Sequence, residues 1–143
     1  MKLFAYAAVA LTAMSVAAAA DALEDRQNLM KERGSLMRIL APIAQEKQPF
    51  DAAAVLDALE KMNANAQATT DVAALWPEGS NTGDTESSPK VWEDMAGFQA
   101  ANDKFAADTA AAVAAAPQDL AAFQAVFGPV ASNCGSCHEA YRM

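Results

Sequence analysis

Proline, glycine and capping residues divide this chain into four segments, and each segment repeats its apolar residues at three- and four-residue spacing. That period is the signature of helices with one buried face. The first segment begins at Asp21, with Glu24 at capping-box distance. Leu29, Leu36, Leu40 and Ile43 form its stripe, Met30 and Met37 lie beside it, and Pro42 marks its last turn. The second follows Gln48-Pro49, with Asp51 as cap or first-turn acid, and carries Val55, Leu56, Leu59, Met62 and Ala66 to about Thr70. Trp76 to Ser88 is rich in Gly, Ser, Thr, Asn and Asp and reads as a long exposed loop. Ser88-Pro89 opens the third segment as cap and first helical residue, and Val91, Trp92, Met95, Phe98, Phe105, Thr109 and Val113 give its buried face. Pro117 opens the fourth in the same way. Leu120, Phe123, Val126, Phe127, Val130, Cys134, Cys137, His138 and Tyr141 then continue one stripe, with a kink expected at Gly128-Pro129.

Composition agrees with the period. Hydrophobic residues make up 53% of the 143, much of it alanine, and aromatics only 7%. Alanine favours helices, and β-branched and aromatic residues favour strands. The expected fold is all-α, an antiparallel four-helix bundle joined by mostly short connections. The chain length suits one such domain.

The first twenty residues stand apart. Lys2 is followed by an apolar stretch from Leu3 to Val16 and by small residues to Ala20, the layout of a secretory signal peptide. The stretch is shorter than the ~20 apolar residues that span a bilayer. The expected organisation is a signal peptide over 1–20 and a four-helix domain over 21–143, exported as a soluble protein, which in a bacterium means the periplasm. Losing Lys2 takes the formal charge from −8 to −9. So acidic a chain lacks the basic footprint for nucleic acid. No segment after residue 20 is suited to membrane insertion.

The chemistry lies in Cys134-Gly135-Ser136-Cys137-His138, which holds both cysteines and the single histidine of the chain. Cys-x-x-Cys-His is the motif of covalent haem attachment. Two thiols three positions apart share a helix face and can reach the two vinyl groups of one porphyrin. The histidine four positions after Cys134 is carried on the same face and can reach the iron. A structural zinc site needs four ligands, and no further Cys or His completes one. A thioredoxin-like pair expects a βαβ setting, and a disulfide here would close too small a loop to stabilise much.

With one histidine, bis-histidine ligation within a monomer is excluded. The sixth position is methionine, lysine or open. Met30, Met37, Met62, Met95 and Met143 are the methionines after residue 20, and methionine at helical spacing is more often core filler than ligand.

A haem motif at the end of a four-helix chain resembles the class II cytochromes c, which include cytochrome c′. The segment Cys134 to Arg142, with its Tyr141-Arg142 ending, looks like that family's C-terminal motif. Asp71 to Pro77 and Ser88 to Trp92 resemble family segments around the middle loop. In one branch of the class the sixth position is open beneath an apolar side chain, and in the other a first-helix methionine fills it. Arg26-Gln27-Asn28-Leu29-Met30-Lys31 looks like the relevant first-helix segment and resembles the low-spin branch. The resemblance implies one haem c, His138 and Met30 as iron ligands, and Arg26 as partner of a haem propionate. It implies a one-electron carrier, not an enzyme, that docks transiently with redox partner proteins. Class members are often dimers, though nothing in this sequence requires a homodimer. The alternative is a five-coordinate cytochrome c′ that binds nitric oxide or carbon monoxide. A peroxidase-like enzyme would want a distal histidine for acid–base work, and none is available.

Overall fold

The structure, a computed structural model, describes residues 4–143, with side chains from residue 21 onward. The signal segment expected over 1–20 lies outside the residues whose side chains are described. Six helices follow in order: α1 Phe4–Ala44, α2 Ala52–Ala68, α3 Val72–Leu75, α4 Lys90–Glu93, α5 Met95–Ala115 and α6 Leu120–Tyr141. The four long ones pack as a ring, α1 on α2, α2 on α5, α5 on α6 and α6 on α1. Each is the chain neighbour of the next, or of the one that closes the ring, as an up-and-down antiparallel bundle requires.

The local signals decide most element ends. Asp51 caps α2, its carboxylate accepting from Ala54 N at 2.7 Å. Pro42 lies in the last turn of α1, and its carbonyl accepts from Lys47 N at 2.8 Å as the chain turns away. Four expectations are corrected. α1 passes through Asp21, because the preceding alanines favour helix and nothing there stops it; Asp21 becomes an end only if the chain is cut. The fourth long helix starts two residues after Pro117-Gln118, where Asp119 accepts from Ala122 N at 2.8 Å and so supplies the cap. Ser88 makes no side-chain cap; its hydroxyl is buried without a partner, and the short helix α4 ends at Asp94, which caps α5 by accepting from Gly97 N at 3.1 Å. The loop from Trp76 to Ser88 is not simply exposed. Trp76 is 3% and Ser80 2% exposed, so its first half is tied into the fold.

Two apolar clusters fill the bundle. The larger joins Leu36, Leu40, Val55, Leu59, Met62, Phe105, Phe123, Phe127 and Val130. Phe123 stacks on Phe127 with ring centroids 5.1 Å apart. The smaller gathers Val72, Trp76, Val91 and Phe98, with Cys137 and Tyr141 packed against it. Phe98 meets Trp76 edge-on at 4.7 Å and Tyr141 at 5.0 Å, geometries that suit the ring quadrupoles. Gly97 permits this approach: a Cβ there would lie 2.7 Å from the Tyr141 hydroxyl and collide with the Asp94 carboxylate. Pro129 sits inside α6, which continues past it to Tyr141.

Candidate functional site

Cys134 and Cys137 are free, half-buried thiols on the side of α6 that faces the bundle. Their three-residue spacing puts them on one helical face. Burial pushes both thiols above their ordinary pKa, and the Arg33 charge on α1 pulls in the opposite direction. His138 follows on the solvent edge. Partial desolvation, then the Arg142 and Arg33 charges, holds its imidazole below the ordinary range, which leaves the ring nitrogens available as neutral donors.

The end of α6 is stitched to the middle loop. Ser88 N donates to Tyr141 O at 2.8 Å, Met143 N donates to Glu86 O at 2.9 Å, and Arg142 pairs with Glu86 at 2.6 Å. The Tyr141 hydroxyl donates to Asp94 Oδ2 at 3.2 Å. These bonds locate the turn of α6 that carries Cys137 and His138.

Across from α6, α1 contributes Arg26, Met30 and Arg33. Met30 is 36% exposed. The other methionines are differently placed. Met62 is fully buried and Met37 half-buried in or against the larger cluster; Met95 packs on the smaller one, and Met143 is terminal and 72% exposed. Arg26 is 4% exposed, not a solvated surface residue. Its Nη1 donates to Leu75 O and Ser80 Oγ, both at 2.9 Å, and its Nη2 to Ser80 O at 3.0 Å. Its guanidinium also lies 5.5 Å from the Trp76 ring centre and 6.0 Å from that of Trp92. Arg26 therefore pins the middle loop to α1.

Arg33 is the residue that sequence reasoning missed. Nε donates to Asn65 Oδ1 at 2.9 Å, Nη2 to Thr69 Oγ1 at 3.2 Å, and the guanidinium lies 4.3 Å over the Phe105 ring. Nη1 approaches Met30 Sδ at 4.0 Å. Asn65 is 3% exposed and Thr69 fully buried. A signal did exist: Arg26, Arg33 and Leu40 are seven residues apart and share one inward register of α1.

The donor set fits a covalently held haem. The two thiols on one face can form the thioether links to the ring, and the imidazole one residue beyond them is a borderline donor suited to iron. Among the described residues no group of three His, Cys, Asp or Glu side chains could hold a bare metal ion. A surface groove of about 620 Å³ is lined by Asp25, Asn28, Leu29, Glu32, Ala68 and Leu75. None of those is a residue of the donor set.

The family described as cytochrome C′ matches residues 21–142. A cytochrome c-556 from Agrobacterium fabrum is 37% identical over 125 residues, covering 87% of this chain and 83% of that protein. The solved cytochrome c′ from Rhodopseudomonas palustris superposes with a TM-score of 0.78 at 33% identity, covering 86% of this chain and 96% of that one. A nitric oxide complex of a mutant cytochrome c prime from Alcaligenes xylosoxidans superposes with a TM-score of 0.76 at 30% identity, covering 88% and 96%.

Proposed function

The chain belongs to the cytochrome c′ family, carries one covalently attached haem c, and from that premise we propose that it is a periplasmic one-electron carrier with low-spin histidine and methionine ligation. Cys134 and Cys137 would hold the ring through thioether bonds, and His138 and Met30 would ligate its iron. The haem supplies the ferric–ferrous couple. The protein holds it and orders its surroundings. Soft methionine sulfur opposite histidine raises the potential relative to stronger donor sets. The Trp76, Phe98 and Tyr141 rings keep water from the side of Cys137. Arg26 would meet the haem propionates chiefly through its charge, because Nη1 already bonds Leu75 and Ser80 and Nη2 bonds Ser80. Removal of residues 1–20 on export and transient docking with redox partner proteins belong to the same reading.

The observation that carries methionine ligation is the placing of Met30. Among the described side chains it is the methionine on α1 that neither apolar cluster takes up, and it touches Arg33, whose charge reaches both thiols. A core-filling methionine would be buried, as Met62 is.

The optical spectrum of the reduced protein tests this. A sharp low-spin spectrum with slow carbon monoxide uptake is expected, because a gas must first displace the thioether. Met30→Ala should raise the spin and speed uptake. A wild type that is already high-spin and takes up carbon monoxide rapidly would overturn methionine ligation. The kinship with cytochromes c′, one solved as a nitric oxide complex, favours the second reading in that event: a five-coordinate gas-binding protein with Met30 packed over the open side.

A further inference from the structure

Arg33 is a half-buried cation whose direct contacts are all neutral: the Asn65 carbonyl oxygen, the Thr69 hydroxyl, the Phe105 ring and the Met30 sulfur. Among the described residues no carboxylate lies within ion-pair distance of it. The nearby Glu32 carboxylate is engaged by Asn65 instead, whose Nδ2 donates to it at 2.7 Å while also donating to Leu29 O at 3.0 Å. Asn65 thus keeps the two charges apart and anchors both to α2. Four contacts from three helices hold the guanidinium in one place.

That place adjoins Met30, with Nη1 4.0 Å from its sulfur, and from there the charge also bears on both cysteines. We propose that Arg33 is the tuning charge of the haem site, which stabilises the reduced state and so raises the reduction potential. The inference rests on the reading that Cys134 and Cys137 hold the haem between α6 and α1. It is independent of whether Met30 ligates iron.

Reduction adds one electron to the site, drawn from a redox partner protein in the cell or from an electrode in the test. No bond forms or breaks. The net charge of the site falls by one, and a fixed positive charge nearby favours that more negative state. Partial burial keeps salt from screening it fully. Arginine is the residue for this task because its guanidinium stays protonated across the working pH range and its planar fork is fixed by paired hydrogen bonds.

The experiment is spectroelectrochemical titration of the holoprotein, wild type against Arg33→Gln, Arg33→Lys and Asn65→Asp. A separate aliquot of each protein is extracted with acid-acetone to check that its haem is covalently held. Arg33→Gln should lower the equilibrium constant for reduction roughly tenfold, about 59 mV for one electron, with the shift persisting at high salt. Arg33→Lys should recover most of it. Asn65→Asp, which sets a carboxylate against the guanidinium, should lower the potential with the arginine still present. An unchanged potential in Arg33→Gln with haem attached and spectrum intact would overturn the proposal, as would an Arg33→Lys value as low as that of Arg33→Gln. If Arg33→Gln does not fold, Asn65→Asp decides in a Glu32→Gln background, where the new carboxylate has no acidic neighbour with which to share a proton, and an unchanged potential there refutes the role. Haem that extracts from the wild type would instead refute the attachment reading, and with it the premise for Arg33.

Discussion

Helix α6 carries one stripe through two environments. At its start Phe123 and Val130 are fully buried and Phe127 is 4% exposed, enclosed by Leu40, Leu59 and Met62 from the facing helices. One turn further on, the same stripe presents Cys134 and Cys137, both half-buried, and the facing helix offers Arg33 rather than leucine. The periodicity does not change across this boundary; the partners do. The first half of α6 supplies stability by excluding water from apolar surface. The second half exchanges that packing for half-buried thiols, a neutral imidazole and a fixed charge. A site that must accept a covalent group cannot also be closed by close-packed side chains.

The comparison breaks most readily at the cysteines. Cys134→Ala with Cys137→Ala should abolish covalent haem attachment, read as complete loss of haem from the chain on denaturing electrophoresis. The purified apoprotein should keep its helical circular dichroism, since the closed half of the bundle is untouched. Loss of the helical signal would show that the two halves do not fold independently of the site. At the closed end, Phe123→Ala should cost about 3–5 kcal/mol in denaturant unfolding while haem attachment survives. A cost below about 1 kcal/mol would mean that Phe50 and Phe127 collapse into the space.

The smallest effect is electrostatic and falls between the two regions. Asp108 is held below the ordinary carboxylate range by its bond from Lys104 Nζ at 2.6 Å, and then by Asn133 Nδ2 at 2.7 Å. A depressed folded-state value means that its contribution is present above the unfolded pKa and fades as pH falls through the folded one. Solvent screening reduces it, so Asp108→Asn should cost about 0.3–0.5 kcal/mol at neutral pH and nothing at pH low enough to protonate both states. A loss that stays constant down that acid limb would show that the Asn133 contact, not the charge, is what matters.

Much of this was legible in the residues because the relevant physics is local. Asp51 caps α2 through a bond to a backbone group three residues away, and a helix puts Cys134 and Cys137 on one face whatever surrounds them. The Ser88-Pro89 signal failed for the opposite reason. Pro89 is followed by a single helical turn, and the longer helix waits for Asp94, whose neighbours Gly97 and Tyr141 come together only when α6 docks. Arg26 and Arg33 both fall in an inward register, yet a register cannot say what an inward arginine meets.

The sequence by itself determined the all-helical class, the spacing of the thiols and imidazole, and the register that brings Met30, Arg26 and Arg33 to α1's inner flank, since each depends on intervals of three, four or seven residues. Only the tertiary structure decided that Arg26 fastens a loop 49 and 54 residues away and that Arg33 rests on Asn65 and Thr69, 32 and 36 residues on. A buried guanidinium must find acceptors wherever the packed helices supply them, and no interval along the chain encodes which those are.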